Sequence, residues 1–441
     1  MRVLALDVGS SSVRACAYDE RGRESGPGAR RTYSAHLGRD GSAEFDPEEL
    51  LAAARAVLEG AGEGHDAVGI SCFMHSLLLL DERDRPLTPV LLWQDRRAVA
   101  QAEELAEGLD ERAVHARTGC VFHPSFWPAK LAWLRSEGLL EKARHVVSFA
   151  DYLFLALTGE LHTTLSTASG SGLLDLRRRR WDEQLLGELG VEEALLPPLG
   201  DDPAGTTYPP LADGPCSNLG AGCTGADRAA LNIGTSGALR IVHEGEPEPR
   251  PGLFCYLVDE RRVVEGGAVS DGGNLHAWLE RTLRLEGPEA RAPDGHGLTF
   301  LPLLGGERSP GWNPRATGAI AGLTFDTDAA DLLQAGLEGV AYRIAESADR
   351  LPEVREVVAT GHALLASPEW TQLFADVLGL PVTASRVAEG SARGAAVHVL
   401  ERLGIEPEPA PLGRAHEPDP ERTKIYAAAR ERQRDFYRRL F

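Results

Sequence analysis

A single carboxylate stands in the otherwise uncharged run "YPPLADGPCSNLG", residues 208–220. Asp213 could be the polar residue of an Asp-Gly turn, where Asp caps locally and glycine tolerates positive φ. It could also accept a proton from a bound alcohol, the work of a general base. A second carboxylate, Asp7, closes the apolar run "RVLALDV" and precedes "GSSS". A carboxylate at the end of a buried strand is costly without a partner. Hydrated magnesium would supply one, because hard cations take oxygen ligands and often retain water. Gly9, Ser10, Ser11 and Ser12 offer close backbone approach and several donors, a nest able to cradle phosphate oxygens. A plain hairpin turn accounts for the same four residues. "NIGTSG" repeats the device, with Gly234 and Gly237 turning tightly and Thr235 and Ser236 able to donate. Two such turns could grip one polyphosphate from both sides. A third glycine-rich stretch, "ATGHALLASPEW", has Gly361 at a strand end and a helix behind it. It could admit a flat base, or simply pack helix on sheet. No GxxxxGK[ST] run occurs, so neither turn is a P-loop.

The elements that must position these residues are legible in outline. Residues 2–8 and 13–19 read as two strands joined by "GSSS". Residues 47–61 read as a helix with proline at its start. Residues 67–73 form a strand, 96–145 are largely helical with a break at "TGCVFHPSFWP", and 151–160 form a helix ending at glycine. Residues 229–234 and 238–242 make a second hairpin built like the first. Helices are expected at about 328–350, 367–378 and 390–403, with strands at 355–361 and 381–385. Two hairpins of one design predict two similar α/β domains facing each other. The boundary is expected near 222–228, giving residues 1–222 and 223–441 as the domains.

Composition narrows the classes of function. The 441 residues carry 66 acidic and 46 basic side chains, a formal net charge of −20. That field repels nucleic acid and anionic membranes, so neither is an expected partner. It does not exclude an anionic small substrate in a locally basic pocket. No apolar run approaches the ~18 residues of a membrane span. The N-terminal apolar run meets Asp7 too early for a secretory signal. Cys16, Cys72, Cys120, Cys216, Cys223 and Cys255 form no CxxC pair, which suits reduced thiols in a cytoplasmic protein.

Taken together, "DVGSSSVR", "MHSLLLLDERDRPLTPVLLWQDRR", "DYLFLALTGE", "ADGPCSNLG", "NIGTSG", "LPLLGGERSPGWNP", "GLEGVAYRI" and "EGSARGAA" resemble the FGGY carbohydrate kinases of the actin–hexokinase–Hsp70 superfamily. "MHS", "PLTPVLLWQDRR", "DGPCSNLGAG", "IGTSGALR" and "FCYLV…GGAVSDGG" look most like gluconate kinases. The resemblance implies two ribonuclease H-like, actin-like ATPase domains around a central cleft, with ATP and Mg2+ as cofactors. It implies Asp7 as the magnesium-associated acid, and Ser10, Ser11, Ser12 and Thr235 in the phosphate motifs. Gly361 begins the adenosine motif, where His362 replaces the family's usual second glycine. Ser391 and Gly394 are expected near the outer wall of that site.

On the acceptor side the resemblance implies His75, Trp93, Asp95 and Arg96. Carboxylate and imidazole groups bind polyol hydroxyls, and arginine can neutralise a substrate carboxylate. His123 and Lys130 are further candidates for an anionic substrate, and Asn274 is expected to reach the pocket from the second domain. Asp213 falls where the family has its catalytic base. The segment before it is short and rich in proline, so its delivering strand is expected to be truncated and Asp213 less firmly held. The implied reaction is ATP-dependent phosphorylation of D-gluconate to 6-phospho-D-gluconate. Xylulose, ribulose or glycerol is the alternative acceptor, and a non-catalytic ATP-binding or assembly protein is the alternative of another class. Many relatives are dimers, so a homodimer is an expectation too.

Overall fold

Each of the two large sheets grows from a hairpin whose first strand is flanked on its other side by a parallel strand. The computed structural model describes residues 1–26, 28–283 and 291–441. In the first sheet, β1 (Arg2–Val8) turns into β2 (Ser12–Asp19), which pairs with β3 (Ala29–Thr32). β4 (Ala67–Cys72) lies parallel to β1, and β5 (Leu211–Ala212) parallel to β4. The order is therefore β5-β4-β1-β2-β3.

The second sheet repeats this plan. β6 (Arg228–Ile233) turns into β7 (Gly237–Glu244), and β8 (Phe254–Leu257) leads to β9 (Arg262–Val269). β10 (Glu356–Thr360) lies parallel to β6 and β11 (Val382–Ser385) parallel to β10, before the edge strand β12 (Leu412–His416). The order is β8-β9-β7-β6-β10-β11-β12. These are the two expected actin-like α/β domains.

The central strands are largely apolar because both faces are covered. Leu4, Leu6 and Val8 pack with Leu50, Ala54 and Val57 of helix α1 (Pro47–Gly60). That helix starts where Asp46 accepts from the Glu48 and Glu49 amides and Pro47 presets the first turn. On the second sheet, Leu231 and Ile233 share a core with Val340 and Ile344, which lie within the helix Ala329–Ala348. Each such side chain stabilises the fold by about 1.5–3 kcal/mol when fully buried.

Two helices join the sheets. The first, α2 (Asp213–Gly220), leaves β5 directly. The second, α3 (Gly390–Arg402), packs on α2, β4 and β1, although its sequence follows the second sheet's strands. The α2–α3 approach is made by glycines. A Cβ on Gly394 would lie 1.8 Å from the Cys216 carbonyl oxygen, and one on Gly220 1.8 Å from that of Gly390. The helices at 328–350, 367–378 and 390–403 and the second hairpin stand within two residues of expectation. Among the described residues, no helix is long and apolar enough to cross a membrane.

Candidate active site

The first turn is built around Asp7. β1 and β4 run in register with Asp7 beside Ser71, and the Ser71 hydroxyl donates to Asp7 Oδ1 at 2.8 Å. Arg14 Nε lies 3.2 Å from Asp7 Oδ2, and the same guanidinium pairs with Glu389 at the entry to α3. Asp7 is only 4% exposed. Burial pushes its carboxyl up to about 6, against the pull of Arg14 and Ser71, with a smaller push from Asp213. Gly9 closes the turn on the Ser12 carbonyl, and Ser10 and Ser11 are exposed. Ser12 is not on the open face: it lies inside β2, buried, with Arg14 Nη2 at 3.4 Å from its hydroxyl.

The second turn assembles with two other segments. The Gly234 carbonyl accepts from Gly273 N–H and the Thr235 carbonyl from Asn274 N–H. Thr235 is exposed and Ser236 half-buried. Gly361, at φ +86°, lies so close to β6 that a Cβ would sit 2.5 Å from the Ile233 carbonyl oxygen. His362 follows as the exposed first residue of the short helix His362–Leu365. Gly234, Thr235, Ser236, Gly361 and His362 are thus one neighbourhood, as a shared nucleotide site requires.

Asp213 corrects the sequence expectation in two respects. It is the first residue of a helix rather than part of a turn, with Pro215 in the first helical turn. β5 is indeed only two residues long, yet Asp213 is firmly held. Its carbonyl accepts from Ser391 Oγ at 3.4 Å, and its helix is pressed onto α3. Burial raises its pKa, while Arg240, Gly214 and Arg308 oppose that rise. Ser391 therefore braces the candidate base, and Gly394 serves helix packing.

The acceptor side keeps some candidates and reassigns others. His75 has φ +65°, a left-handed conformation costly for a non-glycine residue. Its Nδ1 donates to the Gly170 carbonyl at 2.7 Å, which leaves Nε2 as an acceptor. Burial, then Arg308, holds its pKa well below the usual value, so the ring is neutral. Trp93 presents its ring to Arg308, whose guanidinium carbon is 4.8 Å from the centroid. Asp95 is consumed elsewhere: its carboxylate takes the Ala43 N–H and the Arg97 fork. Arg96 is exposed and donates to the Pro314 carbonyl at 2.8 Å, bridging the 93–96 and 305–314 segments. Lys130 is buried and spends its ammonium on the His75 and Ser125 carbonyls, fixing backbone rather than substrate. Burial brings it down to about 7. His123 accepts from Ser125 N–H and is held down to about 3 by burial, then Arg308. Asn274 caps its own turn, accepting from Gly272 and Leu275 N–H and donating to the Ser270 carbonyl. Its N–H joins it to the turn at 234–237.

Sequence reasoning missed Arg14, Arg240 and Arg308. A charged residue inside the apolar strand "ALRIV" was the available signal for Arg240. Trp93, Asp95, Arg96, His123, Ser270 and Arg308 line one cavity of about 20 Å³, room for a water and no more. A groove of about 690 Å³ lies elsewhere. There Arg262 is shared by the Asp259 and Glu401 carboxylates. Asp294, His296 and Glu338 also converge, but Arg432, Gln334 and Tyr342 already satisfy their carboxylates.

Residues 2–213 match the N-terminal domain of the FGGY family of carbohydrate kinases, and residues 229–399 match its C-terminal domain. The chain is 30% identical to a gluconokinase of Bacillus subtilis, over 91% of this chain and 88% of that protein. It is 31% identical to a xylulose kinase of Klebsiella pneumoniae, over 99% of this chain and 98% of that one. Among solved structures, a ligand-bound xylulose kinase from Lactobacillus acidophilus superposes with a TM-score of 0.91 at 25% identity, covering 100% of this chain and 98% of the other.

Proposed function

The chain belongs to the FGGY family of carbohydrate kinases, ATP-dependent enzymes acting on sugars and polyols, and from that premise we propose that its acceptor is a sugar acid, D-gluconate, converted to 6-phospho-D-gluconate. The observation that carries the reading is Asp213, a half-buried carboxylate at the end of β5, in electrostatic reach of Asp7 on one side and Arg240 and Arg308 on the other. The motifs "MHS", "DGPCSNLGAG" and "IGTSGALR" and the gluconokinase relative favour gluconate. The xylulose kinase relative, matched nearly end to end, makes a neutral ketose the second reading.

In this mechanism residues 1–222 supply the first phosphate turn and the acceptor side, and residues 223–441 the second phosphate turn and the base pocket for adenine. ATP lies with its phosphates between the turns at 9–12 and 234–237. The exposed donors Ser10, Ser11 and Thr235 face its oxygens. The oxygen donors around Asp7 fit a hydrated magnesium ion, which when bound would neutralise charge on the phosphates. Asp213 orients the primary hydroxyl and accepts its proton as the new O–P bond forms. The transfer is direct and in line, so positioning and charge stabilisation do most of the work. The cavity between the 93–96 and 305–308 segments is about 20 Å³, so admitting a sugar there would require these segments to separate. Reclosure then excludes water, the competing acceptor.

A coupled ADP-release assay across D-gluconate, xylulose, ribulose and glycerol tests the acceptor. Gluconate is expected to give the highest kcat/KM. A neutral ketose or glycerol used in preference would overturn the substrate and leave the family untouched.

A further inference from the structure

Among the described residues, several arginines drawn into the interior have identifiable partners, with Arg308 and Arg240 as exceptions. Arg343 is held by Glu307 and Glu346, Arg97 by Asp95 and Glu44, and Arg393 by the carbonyls of Gly22, Gly220 and Glu408. Arg308 is 8% exposed and, among the described residues, its guanidinium makes no hydrogen bond and no ion pair. Its Nε is buried and unpaired. The guanidinium face lies over Trp93, 4.8 Å from the ring centroid, with Trp312 at 5.9 Å. Stacking uses the face of the guanidinium and leaves its in-plane N–H groups unspent. Arg240 is the second exception, its Nε against the helix start at Gly214.

A buried guanidinium without an acceptor is expensive. The groups facing Arg308 do not supply one. His75 and His123 are neutral, Tyr256 and Cys120 keep their protons, Lys130 is brought down to about 7 by burial, and Arg240 is a second cation. Asp213 is the one carboxylate within reach, shared with Arg240 and required for the hydroxyl. The cavity therefore has a cation in surplus, in a chain whose net charge is −20.

We infer that Arg308 is the residue that binds the substrate's carboxylate, through the N–H edge left free by its stacking on Trp93, and so selects sugar acids over neutral acceptors. This rests on the sugar-acid reading above, and moves the carboxylate contact from Arg96, which is spent on Pro314. Arg240, beside Asp213, attends to the base. A transferred phosphoryl group is an anion of similar chemistry, so the test separates the two sources.

The test compares D-gluconate with D-glucitol, an acceptor of equal length whose carboxylate is replaced by a neutral hydroxymethyl group. In the wild type, gluconate is expected to be favoured. In Arg308→Met, the ratio of kcat/KM for gluconate to that for glucitol is expected to fall by about 30-fold or more, the loss of a charge-assisted pair. Arg308→Lys, which keeps the charge without the fork, should fall between and serves if the methionine variant does not fold. An unchanged ratio, with the loss appearing instead in KM for ATP, assigns Arg308 to the phosphate and overturns the inference. A wild type that uses xylulose and ignores gluconate sinks the substrate reading before any variant is made.

Discussion

The two hairpins occupy the same place in their sheets and differ at one atom type. In the first, Asp7 lies in register with Ser71 and accepts its hydroxyl proton. In the second, Asn232 lies in register with Thr360 and donates to its hydroxyl at 3.1 Å. Both positions precede a glycine by two residues and a serine or threonine by three. The repeated geometry makes two phosphate-sized turns. Only the first adds a carboxylate, and only there does an arginine, Arg14, stand against it. The pairing of folds thus gives two grips, while the chemistry of a cation partner and of the base is gathered on the first sheet.

Making the two hairpins alike should break the function. Asp7→Asn copies the second turn into the first. It is expected to lower kcat/KM for MgATP by about 100-fold or more, the scale of losing a preorganised charge. A loss under about 3-fold in steady-state kinetics would remove Asp7 from the phosphate site.

The reverse change tests whether the second sheet tolerates a charge. Asn232→Asp places a carboxylate beside Thr360 with no arginine opposite. Urea unfolding should show a loss of about 1–3 kcal/mol. Unchanged stability would mean that the pairing with Arg14 is not what makes Asp7 tolerable.

The smallest effect is a pH dependence that only the first turn possesses. Asp7 titrates at about 6 when folded, against an ordinary 3.8. The folded protein therefore holds this proton more tightly than the unfolded chain does. The stability it contributes is present below about pH 4 and is lost as pH rises through about 6. Ligand-free wild type should therefore gain about 1–3 °C in Tm relative to Asp7→Asn as pH falls from 7 to 5. Parallel Tm profiles for the two proteins would contradict the raised pKa.

The hairpins and long helices were legible because each signal is local. Apolar strands meet glycine and hydroxyl turns, and Pro47 and Pro368 open helices. "DGPCSNLG" singles out Asp213 as the candidate base, but Asp-Gly reads as a turn unless Pro215, a first-turn helix signal, is given weight. What spacing could not reveal was how carboxylates and cations are consumed. Asp95 and Arg97 are two residues apart and neutralise each other, whereas Arg308 is left without a partner by residues far from it in sequence. Only the packed structure distinguishes a spent charge from a free one.

The central claim is that Asp213 takes the acceptor's proton. Asp213→Asn keeps the shape and removes the basicity. Measured as ADP release with D-gluconate, alongside an ATP-binding titration, it should lose about 10²–10⁴-fold in kcat while binding ATP as the wild type does. Turnover within a few-fold of wild type would contradict the account.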